Sequence, residues 1–150
     1  MRVLVVGEAP GPKGPGEFGP LSSPLYEKRL PGLTSMPRVN LLPHYPGPGH
    51  GKGSKLPRDL AKMSASRLWL ETPMSVRMIF MGTRVSAAFG VHYRQVKPYE
   101  PFCQWFKFWG RRVAIVPHPS GVNTWYNDPM NAKTAEYFFR ETSRSIGEER

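Results

Sequence analysis

A histidine, a hydroxyl and a side-chain amide follow an apolar run late in the chain. The run is Val113-Ala114-Ile115-Val116, and Pro117-His118-Pro119-Ser120-Gly121-Val122-Asn123 comes directly after it. The run is short, continuous and mostly β-branched, as buried parallel strands are, and the two prolines end the strand. Because open α/β sheets bind ligands beyond the carboxyl ends of their strands, this segment predicts an active-site loop. The alternative is a proline turn whose histidine and serine only satisfy backbone groups.

A second apolar run, Val3 to Val6, ends in Gly7-Glu8-Ala9-Pro10-Gly11. If the two strands are parallel neighbours, their turns meet at one sheet edge, each with an ionisable side chain. This pair of motifs resembles the uracil-DNA glycosylase superfamily. Its members carry a first motif of the GEAPG, GQDPY or GMNPG kind and a second of the HPS or NPS kind. Here GEAPG occupies residues 7–11 and HPSGVN residues 118–123, and the resemblance covers nearly the whole chain.

The order of the expected elements predicts one α/β domain over residues 1–150. Strands alternate with helices, which indicates a three-layer α/β/α fold with a central, mostly parallel four-stranded sheet, and the resemblance implies a uracil-DNA glycosylase-like version of it. An antiparallel strand can join the sheet through a hairpin at Gly110. Expected strands are 2–6, 38–42, 75–81, 102–109 and 111–116. Expected helices are 57–70 and 83–89, with one or two helical turns over 25–30. A last helix is expected to be capped by Asn127 or Asp128 and to bury Ala135, Phe138, Phe139 and Thr142.

The charge balance favours a polyanionic partner. The chain has 21 Lys and Arg against 11 Asp and Glu, a net charge of +10, and cationic side chains gain affinity for nucleic acid by releasing counterions. No basic amphipathic helix and no apolar stretch of membrane-spanning length is visible, so we expect no membrane partner. The chain enters a strand by residue 3 without a signal peptide, which predicts a cytoplasmic protein. We expect it to be a monomer.

The single cysteine, Cys103, limits the cofactors. It excludes an intramolecular disulfide and an all-cysteine cluster or zinc site. Glycosylases with the closest first motif usually hold an iron–sulfur cluster through four cysteines, and this chain cannot. We therefore expect an enzyme without a metal or an organic cofactor.

The resemblance implies that His118 and Glu8 are the catalytic residues. Cleavage of the N-glycosidic bond of uracil in DNA leaves negative charge on the departing base, and His118 would donate to its O2 atom; a neutral imidazole suffices. Relatives with GQDPY or GMNPG position water with the third motif residue, which is Ala9 here. Glu8 or the backbone is then the candidate that positions water or stabilises the cationic sugar. The alternative is that the Glu8 carboxylate caps nearby backbone amides.

Asn40 is the candidate that reads the base. An amide within the apolar segment Val39-Asn40-Leu41-Leu42 is costly unless it is paired, and it can bond both N3–H and O4 of uracil, which cytosine does not match. The alternative is a bond to its own backbone. Relatives stack a phenylalanine on uracil, but the aligned pair here is Pro20-Leu21, so Phe18 or Tyr26 would supply the ring. The substrate-binding residues implied are Gly7, Ala9, Pro10, Gly11, Phe18, Leu21 and Asn40.

The second motif also supplies the expected DNA contacts. Ser120 and free backbone amides can bind phosphate, and Val122 or Trp125 can fill the gap left by a flipped base. Trp125 can equally anchor the core. The expected contacts are Ser120, Gly121, Val122, Asn123, Trp125, Lys13 and Lys52, with Lys55, Arg58, Arg111 and Arg112 as further phosphate ligands.

The sequence also bears on three other functions. The segment Gly47 to Gly53 looks like a nucleotide-binding P-loop, but one residue too few precedes Gly51-Lys52 and no hydroxyl follows, which argues against an ATPase. A glycosylase for a modified uracil such as 5-hydroxymethyluracil is one alternative, because HPSGVN ends in Asn123, as in glycosylases that accept oxidised uracils, and the stacking ring is missing. A non-catalytic protein that binds DNA or a modified base is the other, because Ala9 stands in the water-holding position.

Overall fold

The computed structural model describes residues 1–9, 24–44, 46–47, 56–92, 102–120 and 123–148. Its strands are β1 (Arg2–Gly7), β2 (Arg38–Asn40), β3 (Val76–Met81), β4 (Phe106–Phe108) and β5 (Arg111–Val116). Its helices are α1 (Pro24–Arg29), α2 (Arg58–Glu71), α3 (Thr83–Ala88) and α4 (Pro129–Glu148), with short 3-10 helices at Leu33–Ser35 and Thr124–Asn127. The five strands form one sheet in the order β2-β1-β3-β5-β4.

The α/β class and the mostly parallel sheet are confirmed. Strands β2, β1, β3 and β5 run parallel, and β4 lies antiparallel at the edge beyond β5. Over the described residues the sheet therefore has five strands, not the predicted four. The antiparallel strand is shorter than expected, because Cys103 adopts a φ of 59° and ends the extended conformation after Phe102. Trp109 and Gly110 form the two-residue hairpin turn with φ values of 48° and 81°, the positive angles that a type I′ turn needs.

Apolar side chains on the two faces of the sheet form two separate cores. On one face, Val5 and Ile79 pack with Phe139 of α4. On the other face, Val6 and Phe80 pack against α2 and α3. The described residues thus form three layers, with α1 and α4 on one side and α2 and α3 on the other. The buried residues of α4 are the four predicted from its periodicity, Ala135, Phe138, Phe139 and Thr142.

The carboxyl ends of the parallel strands bring the two sequence motifs to one edge of the sheet. Strand β1 ends at Gly7 and β5 at Val116, but these strands are not neighbours, because β3 lies between them. The two turns therefore meet above the end of β3, where Gly82 follows Met81. The backbone N–H of Gly82 donates to the Val116 carbonyl at 2.7 Å and joins that turn to β5.

Within the described ranges, no helix is long and apolar enough to cross a bilayer.

Candidate active site

A cavity of about 370 Å³ opens above the end of β3. Glu8 of the first motif and His118 of the second both line it. The lining residues come from four segments that are distant in sequence: Glu8, then Gly82, Thr83 and Arg84, then Phe102, and finally Pro117, His118, Asn123 and Trp125. Four of the predicted site residues, Glu8, His118, Asn123 and Trp125, thus share one cavity. Its volume falls within the range of about 300 to 1,000 Å³ that is typical of small-molecule sites.

The His118 ring is held in one orientation by its own loop. The backbone N–H of Ser120 donates to Nδ1 of His118 at 3.2 Å. Since Nδ1 accepts, the proton of the neutral imidazole is on Nε2, which is left as a donor. The Tyr26 ring meets the imidazole edge to face, with centroids 5.7 Å apart. Burial lowers the pKa of His118, the Glu8 carboxylate raises it, and the Arg84 guanidinium lowers it; the net effect is a lowered pKa.

Arg29 of α1 fixes the middle of the His118 loop. Its Nη1 atom donates to the carbonyl of Pro119 at 3.1 Å and to the carbonyl of Ser120 at 2.9 Å. The guanidinium lies over the Tyr126 ring, 4.8 Å from the centroid. Sequence reasoning did not identify Arg29, because nothing in the local pattern of α1 indicates a partner some ninety residues away.

Asn123 and Tyr126 fix the two ends of the same loop. The Asn123 side chain donates from Nδ2 to the His118 carbonyl at 2.8 Å and accepts from the backbone N–H of Trp125 at 3.0 Å. The Tyr126 hydroxyl donates to the Pro117 carbonyl at 2.5 Å. The side-chain amide of Asn123 therefore has a structural role: it closes the loop and caps the 3-10 helix that follows.

Glu8 forms a two-point ion pair with Arg84, the second residue of α3. Nε of Arg84 donates to Oε1 at 2.7 Å and Nη2 donates to Oε2 at 2.5 Å. The Glu8 side chain is 18% exposed and that of Arg84 is 48% exposed. Sequence reasoning missed Arg84. The signal that could have found it is its position three residues after the carboxyl end of the apolar strand β3.

Two aromatic rings form part of the cavity wall. Phe102 and Trp125 both line the cavity, with centroids 5.9 Å apart and planes nearly perpendicular. Trp125 also packs on Tyr126 at 4.9 Å, so it serves the wall and the core together. Tyr26, the predicted substitute, is 7% exposed and belongs to the core beside His118.

Asn40 lies at the same sheet edge but outside the lining of this cavity. It is the last residue of β2 and pairs in register with Gly7 of β1. Its side chain is half-buried, as is that of Ala9. Pro10, Gly11, Lys13, Phe18, Leu21, Lys52, Lys55, Gly121 and Val122 fall outside the described residues.

Arg111 is not a phosphate ligand, contrary to the sequence-based expectation. Its side chain is completely buried. Nη1 donates to the carbonyls of Pro73 and Val76 at 2.8 and 2.7 Å, and Nη2 donates to those of Trp69 and Thr72 at 3.0 and 2.9 Å. The guanidinium therefore satisfies carbonyls at the end of α2, in the turn to β3 and at the start of β3, and it is not exposed to solvent.

Arg58 and Arg112, the two other arginines predicted to contact phosphate, are exposed, whereas Ser120 is half-buried. Arg58 is at the start of α2. Arg112 is the second residue of β5, and therefore lies at the end of the sheet opposite the cavity. A phosphate contact by Arg112 would thus be remote from His118.

Among the described residues, no three His, Cys, Asp or Glu side chains are grouped so as to hold a metal ion. A scan against models of known protein families and a search of curated proteins both gave no match to this chain.

Proposed function

We propose that this chain is a monofunctional DNA glycosylase that hydrolyses the N-glycosidic bond of uracil in DNA after flipping the nucleotide out of the helix. One observation carries the proposal. The motif residues Glu8 and His118, which are 110 positions apart in sequence, line one cavity at the carboxyl edge of a parallel sheet. The strand order and the two motifs also support a uracil-DNA glycosylase-like version of the α/β fold.

His118 is the group that stabilises the leaving base. Hydrolysis builds negative charge on the base oxygens, and a preorganised donor there lowers the barrier. The Ser120 N–H on Nδ1 leaves Nε2–H to donate to O2 of uracil. Its lowered pKa keeps the imidazole neutral, so the ring donates one hydrogen bond without the cost of burying a second charge.

Glu8 acts on the sugar side of the bond. Its carboxylate faces the cavity and carries negative charge where the sugar becomes cationic. Each carboxylate oxygen has two lone-pair sites, so both can bond Arg84 and still accept a hydrogen bond from an attacking water. Glu8 therefore takes the role that Ala9, with its methyl side chain, cannot perform.

The remaining parts of the site hold the base and the DNA. Phe102 and Trp125 offer apolar ring surface to a flipped base, and Asn40, at the adjoining strand end, reads its polar edge. The net charge of +10 attracts the phosphate backbone of single- or double-stranded DNA. We propose a cytoplasmic monomer that works without a metal or organic cofactor.

A panel of oligonucleotides tests the activity. Single-turnover excision is measured on single- and double-stranded DNA with uracil, 5-hydroxymethyluracil, hypoxanthine or a G·T mismatch, followed by alkaline cleavage of abasic sites. We expect uracil to be excised. Excision of 5-hydroxymethyluracil alone would shift the assignment to a modified base. Tight binding without excision of any base would indicate a non-catalytic binder.

His118→Ala tests the site within the same assay. We expect excision to fall by about 100-fold or more, as on removal of one oxyanion donor, with little change in DNA affinity. His92→Ala is the matched control, because His92 is exposed and lies in the chain after α3, outside the lining of the cavity. Undiminished excision by His118→Ala would refute the assignment of His118.

A further inference from the structure

The geometry and the position of the contact between Arg84 and Glu8 point to a function. Arg84 meets both oxygens of the carboxylate in a fork, at 2.7 and 2.5 Å, and so fixes its plane. The Arg84 side chain is 48% exposed, and ion pairs at such exposure add little to stability. The pair also lines the same cavity as His118. Its importance is therefore to be sought in what it does to its neighbours in the cavity.

Two opposite charges act on the His118 imidazole from different elements. Glu8 follows β1, and its carboxylate raises the pKa of His118; Arg84 on α3 lowers it. From α1, Tyr26 packs on the ring, and burial raises the pKa of its hydroxyl, which stays neutral. Arg29, also on α1, is directed at the loop carbonyls. Asn123, on the far side of the loop, is uncharged.

We propose that Arg84 is a positioning residue that orients the Glu8 carboxylate and offsets its charge, so that His118 remains a neutral donor at the pH of the reaction. The catalytic consequence rests on the proposed function, whereas the protonation state of His118 does not. Sites that need a carboxylate and a neutral histidine together face a conflict, because the carboxylate favours the imidazolium. A guanidinium on the carboxylate resolves it.

The loop geometry explains why protonation would be harmful. In the imidazolium, Nδ1 carries a proton and faces the backbone N–H of Ser120, which is also a donor. Protonation would thus break the contact that orients the ring, and it would draw the ring towards Glu8. Without Arg84 to offset its charge, the Glu8 carboxylate would stabilise the displaced imidazolium.

Histidine titration by NMR tests the proposal without DNA. The imidazole ¹⁵N and ¹H signals are followed against pH in the wild type, Arg84→Met and Arg84→Lys, and the spectrum of His118→Ala identifies the His118 signal among the four histidines. We expect Arg84→Met to raise the pKa of His118 and Arg84→Lys, which keeps the charge, to leave it close to the wild-type value. If Arg84→Met is poorly folded, Arg84→Gln replaces it.

A double variant and a matched control make the test specific. Glu8→Gln in the Arg84→Met background removes the carboxylate, so the pKa of His118 should fall again. Arg140→Met is the control: Arg140 also bonds a carboxylate through two nitrogens, that of Glu136, but on the exposed face of α4. Arg140→Met should leave the His118 titration unchanged. An unchanged pKa in Arg84→Met, or no reversal in the double variant, would overturn the proposal.

The pH profile of excision gives the second readout. If neutral His118 is the active form, its rising pKa moves the acid limb of the profile to higher pH, and the rate on that limb falls about tenfold for every unit. Arg84→Met should then lose much more activity at acid than at alkaline pH. A shift in the NMR titration with no excision by any variant would refute the glycosylase function and leave the electrostatic role of Arg84 standing.

Discussion

Replacement of Arg29 by methionine tests whether the His118 loop is held by α1. The variant keeps a side chain of similar length but loses the hydrogen bonds to the Pro119 and Ser120 carbonyls. A hydrogen bond from a charged donor contributes about 1.5 to 3 kcal/mol. The contact over the Tyr126 ring adds about 0.5 to 1 kcal/mol. Both carbonyls are part-buried and can be rehydrated, so we expect a loss of about 2 to 3 kcal/mol in the free energy of unfolding.

The effect on catalysis should exceed what stability alone explains. The carbonyl and the N–H of Ser120 belong to one residue, so release of the carbonyl from Arg29 also loosens the N–H that orients His118. A displacement of about 1 Å in a catalytic group can cost about 100-fold in rate. We therefore expect single-turnover excision to fall by about 10- to 100-fold, with DNA affinity nearly unchanged.

Two measurements and one control separate the possible results. Denaturant unfolding gives the stability, and single-turnover excision well below the unfolding midpoint gives the rate. Lys28→Met is the control. It also removes one positive charge, but from the exposed neighbour of Arg29. If Arg29→Met is destabilised but excises uracil at the wild-type rate, the reasoning that the Arg29 hydrogen bonds position His118 is wrong.

Two further variants test residues at the sheet edge and in the core. Arg111→Met should lose about 3 kcal/mol or more of stability, because four carbonyls lose a buried charged donor; wild-type stability with weaker DNA binding would restore Arg111 as a phosphate ligand. Asn40→Asp should change the ratio of uracil to cytosine excision by about 10- to 100-fold, the effect of one well-placed pair of base contacts. The ratio is measured on matched oligonucleotides, and an unchanged ratio in the folded variant would mean that another residue reads the base.

The sequence predicted most elements because their patterns are local. The periodicity of α4 identified its four buried residues, and the apolar runs located β1, β3 and β5 to within a residue or so. The strand expected over 102–109 does not form over its full length, because of contacts with residues that are distant in sequence. Phe102 forms a bridge with Ile115 and the Cys103 N–H donates to the Ile115 carbonyl, while Cys103 turns at positive φ. Aromatic residues on both sides hide that break in the sequence.

The roles of the charged residues could not be predicted from the sequence. Arg84 and Arg111 have the same side chain, yet one borders the cavity and the other is buried under α2. In the composition both arginines count only toward the net positive charge, because composition carries no information on the burial of a side chain. Their roles become visible only when the partners are known, a carboxylate for Arg84 and backbone carbonyls for Arg111.

The strand order decides which residues surround His118. If β1 and β5 were neighbours, Glu8 would face His118 directly, and the turn after β3 would lie elsewhere. With β3 between them, Gly82 occupies the centre of the edge, and a Cβ atom there would lie 3.8 Å from Cβ of His118. That distance leaves room for a side chain, so the glycine is required by its φ of 102°, which L-residues rarely adopt. The turn it permits places Arg84 two residues later, within hydrogen-bond distance of the Glu8 carboxylate, and this is why a third strand contributes to a site that only two motifs mark in the sequence.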